Sequence, residues 1–480
     1  MAMLPMPDRA GRCRPRHAAS RFDAALFVSV NPATGQVFAS YPSHDASAQR
    51  AILDDCAAAF TVWRDAPLAE RCACLTRLAG LFAKREAALA ALAVREMGKL
   101  FPEAVAEVRR CAEVCRFYAE MAPTWLADES FHAETGRRLV AYEPLGVVLA
   151  VMPWNFPYWQ VVRTAAPILA AGNVMALKPA PSVTGAAMAL EGLFREAGFP
   201  GDALRVLRVD TPLVAEAVAH PAVAGVTLTG SARAGAAVGA LAGAHLKKAV
   251  MELGGSDPFV VLADAPLDAC CAAACSARMR SCGQACTAAK RCIVERPLVP
   301  AFAERLAGML SGHVPGDPMN PATTLGPMAR EDLLWNLDRQ VRRSVEQGAR
   351  IVTGGYRLER PGYYYAPTLL ADVRPGMPAF DEELFGPVAA LIEASDAEEA
   401  VRLANATDFG LGASLWTADA DRGLALARRI EAGMVAVNAV LRSDFRLPFG
   451  GVKHSGYGRE LGRMGLTEFT NIKTLVVEDI

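Results

Sequence analysis

The residue with the sharpest chemical character in this 480-residue chain is Cys286, in the run Gly283-Gln284-Ala285-Cys286. A glycine-containing turn at the end of a helix-like stretch can hold a side chain outside the core, and a thiolate is a strong nucleophile. A free thiol ionises near about pH 8.5, so such a cysteine needs local help. Taken alone it is one of 12 cysteines, and burial is their ordinary role. Other residues alter that balance. Met251-Glu252-Leu253-Gly254-Gly255 sets a carboxylate at the end of an apolar strand. Burial there raises its pKa toward the range of a general base; the bland alternative is a solvated strand end. Met152-Pro153-Trp154-Asn155-Phe156-Pro157 stiffens the backbone on both sides of an amide. The Asn155 side chain then either donates to a developing oxyanion or caps the helix that follows.

Two further signals concern a phosphate-bearing ligand. Gly230-Ser231-Ala232-Arg233-Ala234-Gly235 follows a strand and opens an Ala-rich helix, which aims free N–H groups at an anion, although it lacks the G-x-G-x-x-G spacing. Lys178 ends a strand ahead of Pro179, placed either to bond ribose hydroxyls or to serve as a surface lysine. No metal is expected. Cys72-x-Cys74, Cys111-x-x-x-Cys115 and the group Cys270, Cys271, Cys275 lack a histidine at zinc-like spacing, and read as buried small hydrophobes.

These side chains need elements to position them. From about Ala46 to Met121 the pattern is helical, with Leu75, Leu78, Leu81 and Phe82 on one face and Gly98 as a stop. Apolar runs follow at Val147–Met152, Val174–Lys178, Leu204–Val209, Val226–Leu228, Val250–Leu253 and Phe259–Leu262, with helical stretches between most of them. One such helix carries Met188, Leu193, Phe194 and Ala197 on its apolar side and is closed by Gly198 and Pro200. Alternation of this kind predicts parallel sheet covered on both faces, with ligands outside the carboxyl ends of the strands. A second α/β region starts near Gly255, and Thr124–Tyr142 reads as extended. Leu475-Val476-Val477 is a strand without a hairpin neighbour, suited to completing a sheet in another subunit.

Composition bounds the rest. The chain is 52% hydrophobic and 21% charged, with 50 Lys plus Arg against 51 Asp plus Glu, which excludes a disordered polymer and argues against nucleic-acid or anionic-membrane binding. Apolar runs stop well short of the ~18 residues of a membrane span. The first two dozen residues are Arg-rich (Arg9, Arg12, Arg14, Arg21) without a secretory core, and read as a disordered extension over 1–24. A soluble cytoplasmic protein with reduced thiols is expected.

Seven segments in order, MPWNFP at 152–157, LKPAP at 177–181, TGSARAG at 229–235, MELGG at 251–255, GQAC at 283–286, EELFGP at 382–387 and LPFGGVKHSGYGRE at 447–460, resemble the aldehyde dehydrogenase superfamily. The resemblance covers nearly the whole chain from about residue 30. It implies an α/β fold with a Rossmann-like dinucleotide-binding domain (25–123 and 144–254), an α/β catalytic domain (255–466) and a small β oligomerisation arm (124–143 and 467–480). It implies that Cys286 attacks the aldehyde carbon and that the Asn155 amide and the Cys286 N–H hold the oxyanion. Hydride then leaves for the nicotinamide of NADP or NAD, and Glu252 activates water against the thioester. Lys178 and Glu383 would bind the riboses, Ser231 the diphosphate, and Phe385 would pack by the nicotinamide, with Pro153, Trp154, Gly230 and Gly235 on the same cofactor face. A homodimer or homotetramer is implied.

Two arginines narrow the substrate. Arg163, about two turns along the helix after Asn155, and Arg280, six residues before Cys286, match positions where relatives that oxidise succinate semialdehyde hold its far carboxylate. Paired guanidinium forks suit that task; the alternative for each is an ordinary salt bridge. Ser443 would touch the same carboxylate and Phe449 would line the aldehyde tunnel. Glutarate semialdehyde, a neutral aliphatic aldehyde, transfer to coenzyme A and a non-enzymatic role are the rival readings. Pro181 stands where NAD-selective relatives often carry Glu, so both dinucleotides are expected. Cys282 is either a spectator or a disulfide partner for Cys286.

Overall fold

In the computed structural model, residues 26–479 are described; the extension expected over 1–24 lies outside them. The run Val147–Met152 forms a strand buried on both faces, and it organises a six-stranded sheet. From it the chain steps to Val174–Pro179 and Leu204–Val206 on one side. It then returns to the other side as Val223–Thr229 and Lys248–Glu252. These five strands are parallel, and Gly456–Tyr457 closes the edge antiparallel. The reversal of direction occurs at Val147–Met152, and open α/β sheets place ligands outside the carboxyl end of such a strand, where Pro153, Trp154 and Asn155 follow. Lys178, Gly230, Ser231 and Glu252 stand at or just beyond the same ends of neighbouring strands.

The helical first part resolves into Ala46–Trp63, Leu68–Lys84, Glu86–Met97 and Phe101–Trp125. Gly98 ends the third with φ +82°, a conformation that favours glycine. Leu75, Leu78 and Phe82 are fully buried, whereas Leu81 is only half-buried. Along Thr184–Glu196 and its end, Leu193, Phe194 and Ala197 are buried, but Met188 is exposed, on the solvent side of that helix.

The second sheet has seven strands in the order Arg350–Thr353, Thr368–Ala371, Val388–Ala394, Arg291–Glu295, Pro258–Val261, Gly412–Trp416 and Met434–Val437. All neighbours are parallel except the first pair. The expected strand at Phe259–Leu262 therefore sits centrally in this second sheet. Each sheet has its own apolar core, and Phe449, Leu461, Leu466 and Phe469 return from late in the chain to the first.

Two expectations are corrected. The strand predicted over Leu204–Val209 ends at Val206, with one further bond from Leu207 N–H to the Leu177 carbonyl. The stretch predicted as extended from Thr124 is helical through Trp125, and its strands are Glu129–Phe131 and Arg137–Pro144. The tail strand has, as expected, no hairpin neighbour, and its partner is distant in its own chain. Thr470–Val477 pairs antiparallel along all eight residues of Arg137–Pro144, a pairing across more than 300 residues that local sequence does not reveal. Its outer edge carries exposed Ile472 and Val476.

Candidate active site

Cys286 is held by its neighbours rather than by a regular element. After helix Leu267–Met279 the chain makes a short turn in which Ser281 and Cys282 take φ of +51° and +55°. Left-handed backbone at two non-glycine residues costs about 1–3 kcal/mol each, so the surroundings must impose it. They do so through buried groups. The Arg278 guanidinium donates to the carbonyls of Gly283, Leu384 and Gly386. Gly283 itself has φ +70°, and a Cβ there would lie 2.1 Å from the Gly386 oxygen. Gln284 accepts from Ala329 N–H at 2.9 Å, and Lys290 donates to the carbonyls of Ala285 at 3.1 Å and Cys286 at 2.5 Å. Burial pushes the Cys286 thiol up to about 11, while Arg163 and Lys290 pull the other way.

Asn155 is buried, and its amide donates to the Gln284 carbonyl at 3.0 Å, two residues before the sulfur. It does not cap the following helix. That helix, Trp159–Ala170, starts two residues after Pro157, and its first free N–H groups are those of Tyr158 and Trp159. Both donate to one oxygen of Glu107, at 2.8 and 3.0 Å, while the other Glu107 oxygen is ion-paired with buried Lys99. A carboxylate at a helix N-terminus is electrostatically favoured, and here it comes from a helix about 50 residues away. The second amide hydrogen of Asn155 is left for another acceptor.

Glu252 is buried with neither carboxylate oxygen bonded to protein. Burial first, then the nearby Glu460 carboxylate, push its pKa well above the usual carboxylate range, while Arg163 and Arg459 oppose them. Gly450, at φ +156°, leaves room for it: a Cβ there would lie 2.7 Å from a Glu252 oxygen. Glu252 does not line the cavity that holds Cys286, and neither does Asn155.

That cavity, about 260 Å3, has Cys286, Phe156, Trp159 and Phe449 on its wall together with Arg163, Arg280 and Ser443. Arg163 lies over the Phe449 ring, 4.5 Å from its centroid, and its Nε is ion-paired with buried Glu460 at 2.6 Å; its Nη2 has no partner. Arg280 has no carboxylate within ion-pair distance among the described residues, and its nearest bond is a long one to the Thr287 hydroxyl, 3.5 Å. Sequence reasoning missed Arg110 and Arg442 on the same wall. A signal for the first existed: Glu103, Glu107 and Arg110 share one face of helix Phe101–Trp125, charged residues where a packed helix should be apolar.

The crevice at the strand ends suits a dinucleotide. Lys178 is mostly buried, without a hydrogen-bond or ion-pair partner among the described residues, and burial pulls its pKa down. Ser231 is exposed at the start of the 13-residue helix Ala232–Ala244, where it accepts from Ala234 N–H at 3.3 Å. Gly230 N–H is tied to the Glu252 carbonyl at 2.9 Å. Gly235 must be small because a Cβ would meet Leu253 at 2.3 Å. Trp154 and Phe385 meet edge to face at 5.7 Å, and Glu383 pairs with Lys290 at 3.2 Å and accepts from Gly255 N–H. Cys282 packs in the second core, whereas Cys286 packs against the first, which favours the spectator reading. Among the described residues no group of three or more His, Cys, Asp or Glu could hold a metal ion.

A half-buried thiol on a cavity wall, a buried carboxyl without a hydrogen-bond partner and an amide fixed beside the thiol's loop thus meet between two α/β sheets. Residues 20–475 match the model of the aldehyde dehydrogenase family, and the chain belongs to that family. It is 46% identical to a probable NADP(+) succinate-semialdehyde dehydrogenase of Synechocystis, over 93% of this chain and 99% of that one. It is 45% identical to an NAD(P)+ succinate semialdehyde dehydrogenase of Escherichia coli, over 93% and 97%. A solved succinic semialdehyde dehydrogenase of Streptococcus pyogenes in complex with NADP+ superposes with a TM-score of 0.92 at 35% identity, covering 94% of this chain and all of that one.

Proposed function

We propose that this chain oxidises succinate semialdehyde to succinate with NADP or NAD as hydride acceptor. The observation that carries the reading is that Arg163 and Arg280 share one cavity with the Cys286 sulfur, so a small aldehyde can reach the thiol while its far carboxylate meets guanidinium. The named functions of the relatives support it. In this reading Cys286, as thiolate, attacks the carbonyl carbon. The oxyanion takes the second Asn155 amide hydrogen and the Cys286 N–H. A bound nicotinamide supplies the hydride acceptor. Glu252, held by no hydrogen bond, turns to take a proton from the water that opens the thioester. Lys178 and Glu383 hold ribose hydroxyls, Ser231 and the N–H groups beside Gly230 and Gly235 receive the diphosphate, and Pro153, Trp154 and Phe385 frame the ring. Ser443 and Phe449 complete the substrate wall. With Pro181 rather than a carboxylate three residues beyond Lys178, and Arg233 exposed at the helix start, both dinucleotides are accepted.

The same reading divides the chain as 25–123 with 144–254 for the dinucleotide, 255–466 for catalysis, and 124–143 with 467–480 as an oligomerisation arm of a cytoplasmic dimer or tetramer. Among the described residues no helix is long and apolar enough to cross a membrane.

The test is the initial rate of nicotinamide reduction with succinate semialdehyde, glutarate semialdehyde and butanal, each with NADP and with NAD and without coenzyme A. The expected outcome is a kcat/KM for succinate semialdehyde at least tenfold above butanal, abolished in Cys286→Ser. Equal rates for all three aldehydes, or a requirement for coenzyme A, would overturn it.

A further inference from the structure

The cavity wall carries more positive charge than a pair of arginines supplies. Arg110 and Arg442 stand on it with Arg280, and none of the three has a carboxylate within ion-pair distance among the described residues. The Nε atoms of Arg110 and Arg280 are buried without a partner. Arg110 is nevertheless held in place: its guanidinium lies over the Trp159 ring at 4.7 Å and donates to the Ser443 hydroxyl at 3.3 Å. The acids nearby are committed elsewhere. Glu107 serves Lys99 and the helix start, Glu103 accepts from Leu100 and Ser281 N–H, and Asp444 is forked by Arg446. Glu113, exposed at the rim, is the acid left over. Burial pulls the pKa values of Arg110 and Arg280 down, and Arg442 adds repulsion, opposed by Glu113 and Asp444 at Arg110 and by Glu103 at Arg280. Buried donors left unspent on Arg110 and Arg280 are costly unless an anion completes them, and the exposed Arg442 adds a third positive charge at the rim. Arg163, by contrast, spends its Nε on Glu460.

We propose that Arg110 and Arg442, together with Arg280, form an outer carboxylate site at the mouth of the cavity, and that these two residues determine selectivity for aldehydes ending in a carboxylate. The proposal rests on the reading above for its substrate, but the anion site itself can be tested without it. A guanidinium trio drawing an anion toward Cys286 raises the local concentration of any small carboxylate, whatever its reactive end.

The experiment has two arms on the full-length enzyme, with Arg442→Gln, Arg110→Gln and the double variant. Arg442 is exposed and has no ion pair among the described residues, so its replacement leaves no buried partner behind. The first arm measures the rate of Cys286 alkylation by iodoacetate divided by that by iodoacetamide. This ratio should fall about fivefold or more in the double variant, and in the wild type it should fall as salt is added. The second arm measures the ratio of kcat/KM for succinate semialdehyde over butanal, which should drop about tenfold or more in the double variant, mainly through KM. Arg442→Lys should recover part of both ratios. If both ratios stay within twofold of wild type in the double variant, the outer site is overturned even where the wild type prefers the semialdehyde. A wild type without that preference sinks the substrate reading instead, and a salt-sensitive alkylation ratio lost in the double variant would then still support the anion site.

Discussion

At the scale of single residues the site pairs two groups whose burial works against their charged forms. Cys286, pushed up to about 11, is thiol at neutral pH in the ligand-free protein. The sign is direct: raising pH increases the thiolate fraction, so alkylation of Cys286 by iodoacetamide should climb steadily from pH 7 to 10 without levelling off. A plateau below pH 8 would show that Arg163 and Lys290 outweigh burial. Glu252 is raised as well, so its carboxylate form, the one that takes a proton from water, also grows as pH rises. Glu252→Gln should therefore still acylate, giving a burst of about one reduced nicotinamide per site, while steady turnover falls by about a hundredfold to ten-thousandfold. Loss of the burst together with turnover would place Glu252 in the attack step instead. At this scale the sequence was informative about residue type, since GQAC, MELGG and PWNFP each name one reactive or polar group. It was silent on Arg442 and gave for Arg110 only a charged helix face, because a charged residue on a helix or loop acquires its meaning from what lies opposite.

At the scale of elements, the helix Trp159–Ala170 bears much of the design. It carries Trp159 and Arg163 into the cavity and is buried along its whole length, so its unpaired N–H groups cannot find water. Glu107 satisfies them from another helix while neutralising Lys99. Glu107→Ala should cost about 3–5 kcal/mol, because it leaves a buried cation and two N–H groups without partners. Urea unfolding measures this, and Lys99→Met combined with Glu107→Leu should regain a large part. A single-variant loss under about 1 kcal/mol would mean water replaces the carboxylate. The strands and helices themselves were legible from apolar runs, glycine stops and prolines. Their exact ends were not, as Leu204–Val206 and the helical Thr124–Trp125 show, because terminal hydrogen bonds depend on neighbours.

At the scale of the whole molecule, the strand Thr470–Val477 fastens the last residues onto Arg137–Pro144 and presents an outer edge with exposed apolar side chains. An open edge of this kind is a pairing template, the one the proposed oligomer would use. Truncation after Phe469 should leave the two large sheets intact and shift the assembly to smaller species, read by light scattering with circular dichroism unchanged. An unaltered molar mass would remove the arm from assembly.

What the chain determined by itself was the inventory: a cysteine after a glycine turn, a strand-end carboxyl, an amide between prolines, and alternating elements that commit it to largely parallel sheets. Tertiary structure decided which groups are spent and which are free. Arg163 is half consumed by Glu460, Glu107 by Lys99, and Cys282 is turned into the second core, whereas among the described residues Arg280 and Arg110 find no carboxylate and face the cavity. Linear order carries no information on these pairings, because a charge is satisfied by whatever the folded backbone brings within a few ångströms of it.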